Sequence, residues 1–204
     1  CPLSQYLVSS GIKELNLIDG DVIEKNNLNR QLLFNQDDVG KKKVYVAKER
    51  LQKINSECKI NILDQNVDSN NIYLFKNSSL IVDATDDWKA SKLLNEFCLT
   101  NSINFIFSSV IRHDIQIILF DNHRKKHLCL SCIFPNTKDV ELPRCETVGI
   151  SGISAGLAGL ITAQKIINFL LDIRDETGIL TIFDGKYLNI ENIVVKSKHY
   201  CNLK

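Results

Sequence analysis

The stretch ELNLIDGDVIEKNNLNRQ, residues 14 to 31, decides how the rest of the chain is read. Its first six residues are a short, apolar-rich strand. Two aspartates around a glycine, a run of asparagines and an Arg-Gln pair follow at once. In an α/β sheet, ligands bind at the carboxyl ends of the strands, and an acidic side chain at the end of the second strand accepts hydrogen bonds from a nucleotide ribose. Asp19 stands at such a position; the alternative is that Asp19 and Asp21 make a solvated turn. On the first reading a phosphate-binding Gly-rich turn belongs about 20 residues earlier, upstream of Cys1. The chain opens on cysteine and contains no methionine, so it reads as a fragment.

Outward from that stretch, strand and helix patterns alternate. SQYLVSSGI (4–12) reads as a helix ending at Gly11, a residue suited to the left-handed conformation after a helix. In 41–54, Val44, Ala47, Leu51 and Ile54 recur at helical intervals. Strands are expected at 58–67 and 78–86, a helix at 88–99, and strands at 103–110 and 115–121. A polar excursion spans 122–147, a long and nearly all-apolar helix 151–173, and strands at 178–185 and 188–197 close the chain. Strands alternating with helices predict an α/β fold. The expected form is a Rossmann-like doubly wound sheet, parallel in its first half with antiparallel C-terminal strands, lacking its N-terminal strand and Gly-rich turn. A single domain over 1–204 with a peripheral loop at 122–147 is the economical organisation. Without a central first strand, open strand edges predict that the 204 residues alone are insoluble or inactive.

With 204 residues, 44% of them hydrophobic, the chain can bury a sizeable core. A net charge of +1 argues against binding nucleic acid or anionic membranes by bulk charge. No apolar run is expected to reach the roughly 20 residues of a membrane span, and no secretory signal is visible. Seven cysteines, an odd number with only Cys129 and Cys132 closely spaced, argue against a disulfide framework and for a reduced, cytoplasmic setting.

Five motifs in order, NNLNRQLLF, DDVGKKKVYVAKERLQKIN, IVDATDD, CLSC and RCETVGISG, resemble the ThiF/MoeB family. These are bacterial relatives of ubiquitin-activating enzymes, and they adenylate the C-terminus of a ubiquitin-like sulfur carrier protein ending in Gly-Gly. The resemblance spans essentially the whole chain. It implies ATP and Mg2+ as cofactors, with Asp19 on the ribose, Asn27, Arg30 and Gln31 at the adenylation centre, and Arg30 facing the triphosphate. It implies Lys43 as a phosphate-contacting lysine, for which the alternative is a solvated helix lysine, and Asp86 as the acid that binds magnesium. The chemistry suits these types: a carboxylate attacking an α-phosphate brings two anions together, so cations must surround the developing charge. The family usually has Asp-Asn where Asp86-Asp87 stands, arginine in place of Ser91, and glycine in place of Ile115.

Cys129 and Cys132 have the spacing of a zinc knuckle. The resemblance implies a second pair near the C-terminus, where Cys201 is present and Lys204 stands in place of the fourth cysteine. A site completed by His199 or water, a degraded site, or no zinc all follow. Cys145 matches the family's sulfur-transfer or thioester cysteine; the alternative is an unreactive loop thiol. Cys58 and Cys98 read as core cysteines. The segments LTIFDGK and NIENIVV resemble the thiamine-pathway branch more than the molybdopterin branch. A cysteine desulfurase or rhodanese partner and a homodimer, with the 151–173 helix at its seam or in the core, are also implied. Two other classes compete: a non-catalytic remnant that binds the carrier without adenylating it, and an NAD-binding dehydrogenase, against which stands the absence of a hydride-transfer acid.

Overall fold

The computed structural model describes residues 1–123, 128–134, 149–174 and 176–195. The chain forms two compact units, residues 1–67 with 151–167, and residues 68–150 with 168–204.

In the first unit, helix α1 (Pro2–Ser9) starts on proline, whose missing N–H costs nothing in a first turn, and stops before Gly11 at φ +86°. Strands β1 (Glu14–Ile18) and β2 (Lys59–Leu63) pair in parallel, from Glu14 opposite Lys59 to Ile18 opposite Leu63. Parallel neighbours need a crossover, and α2 (Lys43–Ile54) supplies it. Its Val44, Ala47 and Leu51 are buried as their spacing predicts, whereas Ile54 at the last turn is exposed. Val8, Ile23, Leu33, Phe34, Val46, Ala47, Leu51, Cys58 and Ile60 make one core. Each fully buried Leu, Ile or Phe contributes about 1.5–3 kcal/mol. Ile23, Leu33 and Phe34 flank the polar stretch, so burial on both sides fixes the loop between them.

In the second unit, β3 (Leu80–Asp83) runs parallel to β4 (Asn104–Ile111) through helix α3 (Trp88–Thr100). Strands β5 (Asp114–Phe120), β6 (Ile179–Asp184) and β7 (Asn189–Val194) then add antiparallel, giving the order β3-β4-β5-β6-β7. The expected α/β class, with parallel pairing first and antiparallel strands last, is what forms. Ile117, Ile118, Leu119 and Phe120 of β5 are all buried, which is why IQIILF shows no polar alternation at its end. Ile115, where the family usually has glycine, is buried within the regular β4–β5 ladder opposite Val110.

The sequence reading did not include the short 3-10 turns at Lys25–Asn27, Gln36–Asp38 and Ile72–Phe75, or the one-turn helix α4 (Leu130–Ile133). Elements of three or four residues are too short to show periodicity. The long helix α5 (Gly152–Leu170) corrects another expectation: at 19 residues it is long and apolar enough to cross a membrane. Its Ser154, Thr162 and Lys165 are nonetheless buried by surrounding protein. Core helices meet the same length and composition test, so the helix by itself favours neither setting.

Candidate active site

The carboxyl end of β1 is held by a lattice of short contacts. Asp19 continues the ladder through its N–H to Leu63 O at 3.2 Å, and its Oδ1 accepts from Asp21 N at 2.9 Å. Between them, Gly20 donates to Asn66 Oδ1 at 3.2 Å. A β-carbon at Gly20 would lie 2.8 Å from Asn66 N, so the turn closes on the segment after β2 only because position 20 has no side chain. Lys42 Nζ donates to Gly20 O at 2.8 Å and pairs with Asp64 at 2.9 Å.

Lys43 is the first residue of α2, and it is buried rather than solvated. Its Nζ lies 2.8 Å from Asp21 Oδ2 and 3.8 Å from Asp19 Oδ2. A lysine in a first helical turn opposes the positive end of the helix dipole, and the two carboxylates offset that. Burial pushes the Asp19 carboxyl up from its ordinary value, while the Asp21 N–H and the Lys43 charge pull it down. Sequence reasoning named Asp19 and Lys43 but missed Asp21 and Lys42, whose sequence signal is only charge beside a turn.

The next segment carries Asn27, Arg30 and Gln31. Asn27 is buried and closes a reciprocal cap: Glu24 N donates to its Oδ1 at 3.2 Å, and Asn27 N donates to Glu24 O at 2.9 Å. Its Nδ2 donates to Asn26 Oδ1 at 2.7 Å, so Asn27 shapes the loop with its whole amide. Arg30 Nη1 donates to Asn26 O at 2.9 Å and to Asn29 Oδ1 at 3.1 Å. Both acceptors are neutral, which leaves the guanidinium charge uncompensated among the described residues. Gln31 Oε1 is buried and meets no donor among the described residues. Farther on, buried Asp38 ties the loop to α2: Arg50 donates both to Asp38 and to Leu33 O. Burial would raise the Asp38 carboxyl, but the Asn35 N–H, Lys41 and Arg50 outweigh it and hold the pKa below the ordinary value. Neither Asp38 nor Arg50 was anticipated from the sequence.

In the second unit, Asp83 closes β3 and the turn that follows holds Asp86 and Asp87. Asp83 is buried, and its Oδ1 accepts from Thr85 N at 2.9 Å and Thr85 Oγ1 at 2.8 Å. Burial pushes its carboxyl up, against the pull of its hydrogen bonds. Asp87, the extra carboxylate in this motif, accepts from Lys89 N at 2.9 Å as the N-cap of α3. Ser91 is buried and donates to Asp87 O at 3.2 Å. Asp86 is exposed and forms no ion pair among the described residues. An uncommitted carboxylate beside one already used as a cap fits a hard, oxygen-seeking cation such as Mg2+.

Cys129 is buried, Cys132 is exposed, and their sulfurs are 3.6 Å apart. Two thiolates on one tetrahedral zinc ion would be about 3.8 Å apart, given Zn–S bonds of about 2.3 Å. No third metal-ligating side chain joins them among the described residues, and Cys145 and Cys201 lie outside the described residues. The donors described therefore do not make a zinc site. Cys58 and Cys98 are buried as expected; burial, with the Asp83 charge adding to it, pushes the Cys98 thiol up to about 12.

With this geometry in hand, residues 1–203 match the family described as the ThiF family. The chain belongs to the ThiF family. It is 29% identical over 214 residues to a probable molybdopterin-synthase adenylyltransferase of Gracilaria tenuistipitata var. liui, covering 97% of this chain and 60% of that protein. It is 27% identical over 206 residues to a sulfur carrier protein adenylyltransferase of Thermus thermophilus, covering 98% of this chain and 76% of the relative. The fold matches that of the E. coli protein MccB, crystallised with ATP, at a TM-score of 0.84 and 23% identity, over 98% of this chain and 62% of the other. The chain thus spans about 60% of the length of the first of these relatives.

Proposed function

We propose that this ThiF-family chain adenylates the C-terminal glycine carboxylate of a ubiquitin-like sulfur carrier protein. The observation that carries the reading is the turn after β1, where Asp19 and buried Lys43 meet at 3.8 Å ahead of the loop that presents Arg30. In the reaction a carrier carboxylate oxygen bonds to the α-phosphorus of ATP, and the bond to pyrophosphate breaks, its electron pair leaving with pyrophosphate. Asp19 accepts hydrogen bonds from the ribose hydroxyls. Lys43 shifts from Asp21 towards a phosphate oxygen, its mobile ammonium acting as a point charge, while Arg30 offers a planar fork of donors to the triphosphate. Asp86 is the carboxylate that would hold Mg2+, which supplies charge neutralisation at the phosphates.

In the sulfur step that follows, the terminal sulfur of a persulfide from a cysteine desulfurase or rhodanese would displace AMP from the carrier acyl-adenylate. A second thiol, for which Cys145 is the candidate, would attack the inner sulfur, releasing the carrier thiocarboxylate and leaving a disulfide. A homodimer, with α5 at its seam or in the core, and a cytoplasmic setting complete the reading. The LTIFDGK and NIENIVV segments favour a thiamine-pathway carrier over a molybdopterin carrier.

ATP–pyrophosphate exchange by the full-length protein, with each type of Gly-Gly-ending carrier in turn, tests the adenylation step and the choice of carrier. Carrier-dependent exchange that falls by about 100-fold or more in Arg30→Ala and in Asp86→Ala is the expected result. Carrier binding without exchange would make the chain a non-catalytic carrier-binding protein instead.

A further inference from the structure

Helix α5 begins against the loop that carries Arg30. A β-carbon built on Gly152 would lie 2.1 Å from Asn29 O, 3.1 Å from Asn29 C and 3.6 Å from Arg30 Cα. All three are backbone atoms, so no flexible side chain could swing aside. Gly152 does not have a positive φ, so its glycine is required by close approach rather than by conformation. Seven residues on, and therefore on the same helix face, Gly159 makes a second such contact. Its β-carbon would fall 2.8 Å from Leu3 N and from Pro2 Cβ. Gly156, by contrast, faces open space. The helix is thus seated at two points, one of them the Asn29–Arg30 peptide.

We propose that Gly152 is a positioning residue for the reaction: by having no side chain, it lets α5 clamp the Asn29–Arg30 peptide and thereby aims the Arg30 guanidinium. The link from backbone to guanidinium is short. Arg30 Nη1 is held by Asn26 O at 2.9 Å and Asn29 Oδ1 at 3.1 Å, both on the same loop, so the charged group follows wherever the loop backbone goes. A methyl group at position 152 would have to open a 2.1 Å approach to an ordinary contact of at least 3.4 Å. That displaces the loop by more than the roughly 1 Å that can cost about 100-fold in rate. The proposal rests on the adenylation reading of Arg30.

The test is a double-mutant cycle in carrier-dependent ATP–pyrophosphate exchange, using the full-length protein as wild type, Gly152→Ala, Arg30→Ala and the pair, with Gly156→Ala as control. Gly152→Ala is expected to lower kcat about 10- to 100-fold, with the KM for carrier unchanged, and to add no further loss once Arg30 is gone. Gly156→Ala should match wild type. Full activity in Gly152→Ala, or an equal loss with and without Arg30, overturns the proposal and leaves the adenylation reading standing. Full activity in Arg30→Ala overturns both. Should Gly152→Ala fail to fold, Asn29→Ala takes its place, removing from an exposed side chain the amide whose Oδ1 holds Arg30 Nη1. It should lower exchange several-fold and only when Arg30 is present; unchanged exchange overturns the proposal.

Discussion

The carboxyl ends of β1 and β3 are built from the same material: each closes a parallel strand, and each gathers aspartates within five residues, Asp19 and Asp21 at the first and Asp83, Asp86 and Asp87 at the second. In the first, Asp19 and Asp21 close around Gly20 and take Lys43 between them, while Lys42 caps the Gly20 carbonyl. In the second no lysine or arginine pairs with Asp83, Asp86 or Asp87 among the described residues, and the three carboxylates separate by task. Asp83 is buried with a raised pKa, Asp87 caps α3, and Asp86 stays exposed and uncommitted. The first turn carries its own counter-charge, one buried ammonium set against two carboxylates. The second keeps one free carboxylate, so it has charge to give to an incoming cation.

That contrast can be broken by exchanging what each turn lacks. The largest expected effect is on the free charges. Arg30→Ala or Asp86→Ala should lower carrier-dependent exchange by about 100-fold or more, the scale of losing one transition-state charge partner. Exchange preserved in Asp86→Ala would mean the second turn is not a cation site. Next, Lys43→Ala removes the cation of the first turn, and exchange should fall with a raised KM for ATP. An unchanged KM would show that Lys43 serves only to neutralise Asp19 and Asp21.

The pH dependence of stability separates the two turns further. Because burial raises the Asp83 pKa in the folded state, Asp83 takes up a proton on folding. Its contribution to stability is fully present below the unfolded aspartate pKa and is lost as pH rises through the folded value. Asp83→Asn keeps the shape without that titration. It should be more stable than wild type near neutral pH, because it carries no charge into the buried site. The advantage should shrink as pH falls towards 4; denaturant midpoints across that range give the answer, and a pH-independent difference would contradict the account. The smallest effect belongs to the cap: Asp87→Ala should cost about 1 kcal/mol in a thermal melt. It should leave exchange intact, because the Asp87 carboxylate is spent on Lys89 N.

Much of this was legible in the sequence, and the reasons are local. The strand-to-polar switch at Asp19 marked the end of β1, the spacing of Val44, Ala47 and Leu51 marked α2, and the apolar-rich segment IQIILFD marked β5 as a strand. Arg30, Lys43 and Asp86 were reached through ordered motifs that resemble the ThiF family, the family to which the chain belongs. Residue type and spacing determine such features, because helices and strands repeat at fixed periods and a chemistry needs particular charges. Tertiary structure alone decided the partners. That Lys43 is buried between Asp19 and Asp21, that Asn66 closes on Gly20, that Arg50 reaches Asp38, and that Gly152 presses on Asn29 are contacts across 12 to 123 positions of sequence. No periodicity encodes them. They exist because close packing brings distant backbones within van der Waals reach, and only the folded chain shows where a missing side chain makes that approach possible.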